Sequence, residues 1–406
     1  MKMGFLSEYF TGVAVKRLSA VESDSVRSTQ HEFNGVSPLR QLLGDQRLTD
    51  HPARFIWLGE ENEGLGEDSF VTWYDSREQK PRSSEFRLYY RSNPVMALAS
   101  MGDLLIVAKR PSGELMIIIV AKGSTAENQL LWLFGVPAQI GVRFEVRDIK
   151  TAGDMHVNFA ARFILDELGI EIEDPEANQL DALLERFGGV FPTTAVFSAL
   201  TRESLSDVLP QDDPDTALLA WMDQEEKLFR RLERHIVSGR LKAGFWTNDE
   251  ADVDGFIKFS LSVQNRRKSR TGYALENHLE EIFRAFNVRY DRHAITENRS
   301  KPDFLFPGID QYHDETFPSA RLSMLGVKST CKDRWRQVLS EAAKIPDKHL
   351  LTLEPGISEN QTEEMRASRL QLVLPAGLHE TYRAKQKQWL MNLKDFIKHI
   401  SDQQMK

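Results

Sequence analysis

The chain has one cysteine, Cys331, among its 406 residues. A single thiol can form neither a disulfide within the chain nor a cysteine-based structural zinc site, which indicates a reducing compartment. No stretch approaches the roughly 20 apolar residues that a membrane span requires, and the segment 1–12 has too short an apolar run for a signal peptide. The sequence therefore predicts a cytoplasmic protein without a membrane partner.

Several common catalytic motifs are also missing. The chain has no Gly-rich phosphate loop, no G-x-S-x-G elbow, no H-E-x-x-H pair and no Cys/His spacing typical of a metal site. We therefore expect no nucleotide cofactor. The formal net charge is −8, so an anionic partner has to be bound by local basic patches rather than by the mean field of the protein.

Length and hydrophobic periodicity predict two domains, because folded units usually run about 100 to 200 residues. Short apolar alternations, typical of strands, give way near Asn158 to helical spacing. We expect a mainly β barrel or sandwich over residues 1–150, a helical segment and linker over 151–216, and an α/β domain over 217–406, with a mixed sheet flanked by helices. The proline- and aspartate-rich segment Leu205–Thr216 is the best candidate for an exposed connection between domains.

Periodicity also predicts individual elements of the second domain. The expected helices are 217–239, one beginning after 269–273, and 334–344; the expected strands are 303–306, 325–328, 350–353 and 370–374.

Two polar residues stand at the ends of predicted strands. Asp303 follows Pro302 at the start of one strand, and Lys328 ends another strand 25 residues later. If these strands are neighbours, the aspartate can hold a divalent cation while the lysine positions or deprotonates a water beside a phosphate, which is the chemistry of a metal-dependent nuclease. The alternative is an ordinary turn at Pro302–Asp303 and a solvated lysine.

Such a cation needs a second carboxylate. In the usual PD-(D/E)xK nuclease arrangement it lies two residues before the lysine, but that position is Gly326 here. Glu341, in the predicted helix after Lys328, can return a carboxylate to the vacant position, and Glu276 offers another from the preceding helix. Taken singly, each glutamate is more typical of an exposed helix position.

Residues from about 256 to 349 resemble the catalytic domain of the EcoRII-like type IIE restriction endonucleases, a variant family of PD-(D/E)xK nucleases. The resemblance implies that Asp303 and Glu341 hold Mg²⁺, that Lys328 is the catalytic lysine, that Glu276 is a supporting acid, and that Lys268 and Tyr312 are helpers. The matching segments are Ser262–Arg270, Ala294–Glu297, Lys301–Pro307, Tyr312–Asp314 and Val327–Gln337.

Two basic stretches of the same region are candidates for DNA contacts. Between Gln264 and Lys301 nine basic residues stand against five acidic ones, so phosphates can be neutralised there, although a solvated surface has the same composition. The expected phosphate contacts are Arg266, Arg267 and Arg270. The alternation Lys332, Asp333, Arg334 suits the edges of neighbouring C·G pairs, although a charged helix start has the same appearance.

The first half resembles, more loosely, the effector domain of the same family, a β-rich DNA-binding pseudobarrel, in Tyr9–Phe10, Val15–Ala20 and Tyr74–Arg77. The stretch from Trp73 to Arg91 is rich in basic residues with aromatic residues interleaved, which predicts an effector-DNA surface. Edge-strand arginines that prevent aggregation are the alternative. The basic residues are Arg77, Lys80, Arg82, Arg87 and Arg91.

The expected protein is thus a Mg²⁺-dependent type II restriction endonuclease. It binds double-stranded DNA as a homodimer and cuts a short palindromic CC…GG site such as CCWGG, and its N-terminal domain binds a second, effector copy of the site and otherwise inhibits the catalytic cleft. The alternatives are a sequence-specific DNA-binding protein without catalysis and a nuclease specific for modified DNA.

Overall fold

The structure is a computed structural model, and it describes residues 4–23, 31–34, 37–59, 64–78, 83–151, 153–172, 187–247, 250–331 and 334–405. The chain divides into two compact units. The N-terminal unit comprises Met1–Ile172 with Pro355–Asn360, and the C-terminal unit comprises Glu173–Glu354 with Gln361–Lys406. None of the described helices has the length and apolar character needed to cross a membrane.

The N-terminal unit is built on an eight-stranded sheet in the order β2-β5-β4-β3-β7-β6-β1-β8. Strands β3 and β7 pair in parallel, and the other neighbours are antiparallel. The mainly β character of this part is therefore confirmed. The strands are β1 (Gly12–Arg17), β2 (Glu32–Asn34), β3 (Leu48–Leu58), β4 (Gly66–Asp75), β5 (Phe86–Tyr90), β6 (Leu104–Lys109), β7 (Leu115–Val120) and β8 (Glu145–Asp148).

Both faces of this sheet are buried at strands β1, β6 and β7. Along β7 the side chains of Met116 and Ile118 join one apolar cluster, while Ile117 and Ile119 join the other. Successive strand residues point to opposite faces, so a fully apolar strand indicates a sheet covered on both sides. Helices α4 and α5 contribute to the first cluster, and α2 and α3 to the second. The helices are α1 (Ala20–Ser23), α2 (Ser37–Leu43), α3 (Pro94–Leu98), α4 (Thr125–Leu133) and α5 (Phe159–Glu167).

The division between the units falls after Ile172, within the interval 151–216 that the sequence assigns to the linker. Helix α5, capped by the Asn158 side chain, belongs to the N-terminal unit. The segment Leu205–Thr216 lies inside the C-terminal unit rather than at the division, and its last three residues begin a helix. The three predicted domain ranges themselves stay predictions.

Three helices open the described part of the C-terminal unit: α6 (Thr194–Glu203), α7 (Pro214–Ala243) and α8 (Val253–Ala285). Helix α7 starts where the Asp213 carboxylate accepts bonds from the backbone N–H groups of residues 215 and 216, and it ends at Gly244, whose φ is +75°. These are the usual start and stop signals. Helix α8 begins at Val253, far before the predicted start after 269–273, which corrects that boundary.

A five-stranded mixed sheet forms the centre of this unit, in the order β11-β12-β13-β14-β15. Strands β11, β12 and β13 pair antiparallel, whereas β13, β14 and β15 pair parallel. Phe283 of α8 packs against Phe304 and Phe306 of β12 at ring-centroid distances of 5.1 and 5.3 Å. The strands are β9 (Trp246–Thr247) and β10 (Glu250–Ala251), which form a separate pair, then β11 (Asp291–Arg292), β12 (Phe304–Phe306), β13 (Ser323–Lys328), β14 (Lys348–Thr352) and β15 (Leu370–Val373).

The predicted mixed sheet flanked by helices is therefore confirmed, and the four predicted strands are present within one or two residues. The predicted helix 334–344 is wrong in its length, because the observed α10 covers only four residues. The remaining helices are α9 (Ile309–His313), α10 (Trp335–Val338), α11 (Glu359–Ala367), α12 (Ala384–Lys387) and α13 (Leu393–Met405).

Candidate active site

Asp303 and Lys328 meet at the ends of two paired strands. Asp303 directly precedes β12, Lys328 is the last residue of β13, and the two strands are antiparallel neighbours. The Oδ2 atom of Asp303 accepts hydrogen bonds from Lys328 Nζ at 3.0 Å and from the Val327 backbone N–H at 2.6 Å. Their side chains are only 14% and 19% exposed. The ion pair is thus partly shielded from water. Opposite charges attract each other more strongly in such a site than in water.

Gly326 lies against the helix that follows the lysine strand. A Cβ atom built on Gly326 would stand 2.7 Å from Cγ2 and 3.0 Å from Cγ1 of Val338, the last residue of α10. The space that a strand carboxylate would occupy is therefore filled by an apolar side chain. This packing requires the second acid to come from elsewhere.

Glu341 lies in the turns that follow α10, and not in the middle of a helix as the sequence predicts. Its backbone N–H donates to Val338 O at 3.2 Å, and Ala342 has a φ of +48°, which ends the helical path. Lys348 Nζ donates to the carbonyl oxygens of Ala342 and Ile345, at 3.2 and 2.6 Å. These bonds hold the turn that carries Glu341.

The Glu341 carboxyl group is largely buried and lies within electrostatic range of Asp303 and Lys328. Burial raises its pKa, the charge of Lys328 lowers it, that of Asp303 raises it and that of Lys348 lowers it, and the net result is a pKa of about 7. Its Oε2 atom is buried and has no hydrogen-bond partner among the described residues. A buried oxygen of this kind is costly unless a ligand or a cation satisfies it.

Glu276 comes from α8 and contacts two basic side chains. Its Oε2 atom accepts a bond from Arg292 Nη2 at 2.8 Å and lies 2.8 Å from His293 Nε2. One potential ligand atom from each of Glu276, His293 and Asp303 lies within 4.8 Å of the others. The structure therefore brings Glu276 to Asp303, and it adds His293, which sequence reasoning missed. Glu341 is not a member of that three-residue group.

Tyr312 holds the turn after Glu341 rather than contacting the Asp303–Lys328 pair. Its hydroxyl donates to Glu297 Oε2 at 2.6 Å and accepts from the Lys344 backbone N–H at 3.1 Å. Burial and the hydrogen bond to Glu297 raise the pKa of Tyr312 to about 12. At neutral pH the hydroxyl therefore stays protonated and serves as a fixed link.

The predicted phosphate contacts differ in their surroundings. Arg266 is exposed, with its guanidinium 4.5 Å from the Phe191 ring centroid, and Arg267 forms an ion pair with Glu233 at 2.5 Å. Arg270 is only 5% exposed, stacks on Phe229 and pairs with Glu226. The burial of Arg270 does not favour a phosphate contact, and the three contacts stay predictions.

The proposed base-reading segment is described only at Arg334, which is exposed just before α10. Lys332 and Asp333 lie outside the described residues, as does the side chain of Lys268.

In the N-terminal unit, Arg77, Arg87 and Arg91 all form ion pairs at the sheet surface. Arg77 and Arg87 share Glu85, at 2.5 and 3.2 Å, and Arg91 pairs with Asp50 at 2.7 Å. Lys80 and Arg82 lie outside the described residues. The effector-DNA role of these five positions stays a prediction.

The site as a whole has an aspartate before one strand and a lysine at the end of the neighbouring strand, as the sequence predicts. Residues 229–397 match the family model described as EcoRII C terminal. In sequence the chain is 46% identical over 190 residues to the type II restriction enzyme EcoRII of Escherichia coli, an alignment that covers 47% of this chain and 46% of that enzyme. The match thus spans about half the length of that relative.

Two solved structures show lower similarity. Metal-depleted Ecl18kI in complex with uncleaved, modified DNA is 18% identical, with a TM-score of 0.45, over 56% of this chain and 84% of that one. The PspGI restriction endonuclease–substrate DNA complex is 15% identical, with a TM-score of 0.44, over 52% of this chain and 93% of that one.

Proposed function

We propose that this chain is a Mg²⁺-dependent, site-specific type II deoxyribonuclease, a restriction endonuclease of the EcoRII-like type IIE kind. The proposal rests on the contact between Lys328 and Asp303 beside the buried carboxyl group of Glu341. The family match of residues 229–397 supports the same activity. Two carboxylates and one ammonium group together can hold a divalent cation and face a phosphate.

Asp303 and Glu341 are the residues that would hold Mg²⁺, with Glu276 as the supporting acid. The donor set fits this ion, because Mg²⁺ prefers carboxylate and water oxygens. The buried Oε2 atom of Glu341, without a partner among the described residues, also fits, since a cation would satisfy it. When bound, Mg²⁺ would supply Lewis-acid chemistry that polarises the phosphodiester and makes water a better nucleophile.

Lys328 would place its ammonium group beside the scissile phosphate, where it stabilises the negative charge that develops in the transition state. Asp303 and the carbonyl oxygen of Val327, 3.0 and 3.1 Å from Lys328 Nζ, hold the ammonium group in position. A water oxygen attacks phosphorus and the P–O3′ bond breaks. The products are a 5′-phosphate and a 3′-hydroxyl end.

The proposed substrate is duplex DNA with a palindromic CC…GG site such as CCWGG. Arg334, with its neighbours Lys332 and Asp333, would read the C·G pairs, since Arg and Lys donate to guanine and Asp accepts from cytosine N4. The exposed position of Arg334 supports this role. The buried, free thiol of Cys331 is in keeping with a cytoplasmic site of action.

A homodimer is part of the proposal, because a palindrome presents the same half-site twice. Val253, Ile257 and Leu261 follow one another at four-residue spacing along α8 and are 61%, 48% and 53% exposed. Apolar side chains so exposed along one helix face favour an interface. A second copy of this chain is the occupant we propose.

In the proposed type IIE assignment the N-terminal unit is a pseudobarrel that binds a second copy of the DNA site. Without that DNA it would inhibit cleavage. Arg77, Arg87 and Arg91 would exchange their present carboxylate partners for phosphates. The eight-stranded sheet and these surface arginines support this assignment.

Plasmid cleavage in Mg²⁺ tests the proposed activity. The wild-type protein should give discrete fragments, and Asp303→Asn and Lys328→Ala should give none while still binding specific duplex in Ca²⁺. Asp310→Asn and Lys398→Ala are matched controls on exposed residues of the same unit and should cut normally. Cutting by either active-site variant would refute the assignment.

Two outcomes would favour the alternatives. Sequence-selective gel shifts without fragments at any site density would indicate a DNA-binding protein without catalysis. Fragments from methylated plasmid alone would indicate a nuclease specific for modified DNA.

A further inference from the structure

The imidazole of His293 lies at the active site although nothing in the proposed reaction uses it. Its Nε2 atom is 2.8 Å from Glu276 Oε2, and a ligand atom of Asp303 lies within 4.8 Å of both residues. The three residues come from three segments: α8, the residue after β11 and the residue before β12. Their convergence therefore depends on the tertiary fold and not on adjacency in the chain.

The backbone fixes His293 relative to Asp303. Strands β11 and β12 pair antiparallel with Arg292 opposite Phe304, which places residue 293 opposite residue 303. The backbone N–H of His293 donates to Asp303 O at 3.3 Å. Because both residues lie at the same end of this strand pair, the paired backbone fixes the positions from which their side chains extend.

The spacing of the three groups leaves them close enough to bind one divalent cation. Metal–ligand bonds of about 2.1 Å place adjacent ligands roughly 3 Å apart and opposite ligands roughly 4.2 Å apart. The distance of 2.8 Å and the limit of 4.8 Å are compatible with ligands of one ion. The His293 side chain is 45% exposed, so water and a phosphate oxygen can take the remaining positions.

The ion pair of Arg292 with Glu276 still allows Glu276 to bind a cation. Its guanidinium contacts Glu276 at 2.8 Å and also Glu280 at 2.5 Å, so its charge is shared by two carboxylates. Lys328 likewise is paired with Asp303. The carboxylates therefore keep their orientation without a cation, and their other lone pairs remain for one.

We propose that His293 supplies a nitrogen ligand to a cation subsite formed with Glu276 and Asp303, next to the position between Asp303 and Glu341. The inference rests on the proposed function through Asp303, which both positions share. An imidazole ligand favours Co²⁺ and Ni²⁺ over Mg²⁺ and Ca²⁺, which prefer oxygen, and Mn²⁺ accepts ligands of either kind. The active site thus selects among cations through His293.

Pulsed electron paramagnetic resonance of Mn²⁺ bound to the untagged, full-length protein tests the proposal, because a directly bound imidazole nitrogen couples to the Mn²⁺ electron spin. With one equivalent of Mn²⁺, the wild-type protein should show ¹⁴N coupling. His293→Asn should abolish it and weaken Mn²⁺ binding by at least about tenfold, the scale seen when a metal site loses even an outer partner. Mg²⁺ affinity, measured by competition against Mn²⁺, should fall less.

Asparagine is the suitable replacement because His293 has a φ of +52°, a conformation that Asn adopts readily. His313→Asn, at an exposed histidine of the same unit, should leave coupling and affinity unchanged. Mn²⁺ bound without ¹⁴N coupling, or coupling that persists in His293→Asn, would overturn the inference. DNA cleavage separates the two proposals: cutting in Mg²⁺ without ¹⁴N coupling contradicts only this one, and coupling without cutting contradicts only the nuclease assignment.

Discussion

The Cβ atom that Gly326 lacks would stand 2.7 Å from Cγ2 of Val338. This contact leaves no room for an acidic side chain on the strand and agrees with the proposal that Glu341 is the second acid. Helix α10 packs directly on the strand where the usual PD-(D/E)xK carboxylate would lie, and the turns after the helix bring Glu341 into range of Asp303 and Lys328. The glycine at position 326 and the location of Glu341 after α10 therefore both follow from the packing of Val338 on the strand.

A methyl group at position 326 should destabilise the C-terminal unit. Gly326→Ala forces the new Cβ against Val338, and overpacking of this kind costs about 1 to 3 kcal/mol. Urea unfolding should show the loss. Val338→Ala removes the opposing methyl groups, so the double variant should lose less stability than the two single losses add up to. Strict additivity would contradict the contact.

Glu341 should make the stability of the metal-free protein fall with rising pH. Burial raises its pKa from 4.5 to about 7, so the folded state keeps the proton that the unfolded state releases. The contribution of protonated Glu341 to the free energy of unfolding is fully present below pH 4.5 and is lost as the pH rises through 7. Glu341→Gln removes this loss. Between pH 5 and pH 8 the free energy of unfolding of Glu341→Gln should rise by about 2 kcal/mol relative to that of the wild type, since one pKa unit corresponds to about 1.4 kcal/mol.

Denaturant unfolding at the two pH values measures this gain. Glu315→Gln is the control, because Glu315 is exposed and carries the same charge. A difference between wild type and Glu341→Gln that stays constant with pH would show that Glu341 is not buried as described.

The predicted phosphate contacts between Gln264 and Lys301 should be detectable in the salt dependence of DNA binding. Arg266 is exposed, so Arg266→Ala should reduce the slope of log affinity against log salt by about 0.9, the value for one phosphate contact. Arg270 is buried against Glu226 and Phe229, so Arg270→Ala should leave the slope unchanged and lower stability. Gel shifts in Ca²⁺ at several salt concentrations measure both. Equal slope changes for the two variants would be inconsistent with the described burial.

The exposed apolar face of α8 should mediate self-association. Leu261→Glu places a charge on this face, which is costly to desolvate in an interface and costs little on a free surface. Sedimentation should show a dimer for the wild type and a monomer for the variant. Val196→Glu, at another apolar residue that is 52% exposed, should remain dimeric. A monomeric wild type would contradict the interface.

The central strands could be predicted from the sequence because runs without charged residues, such as 304–306 and 325–327, are bounded by proline and polar residues, and each run is buried as expected. Asp303 and Lys328 could be found for the same reason, since each stands at the end of such a run. These signals are local in the chain.

The errors arise where tertiary contacts decide. The segment 335–344 has helical composition, but bonds from Lys348 and Tyr312 hold its second half as a turn. The sequence does not predict the first half of α8, because Val253, Ile257 and Leu261 are exposed and the buried apolar stripe begins only at Ala274. His293 reaches Asp303 through strand pairing across a connection with no hairpin signal, and only the sheet register reveals it.

The most direct test of the account is anomalous diffraction from the protein bound to uncleaved duplex and Mn²⁺. The account predicts a cation coordinated by both Asp303 and Glu341, next to a backbone phosphate and with Lys328 Nζ in contact with that phosphate. A cation bound at the phosphate with the Glu341 carboxyl group outside coordinating distance would contradict it.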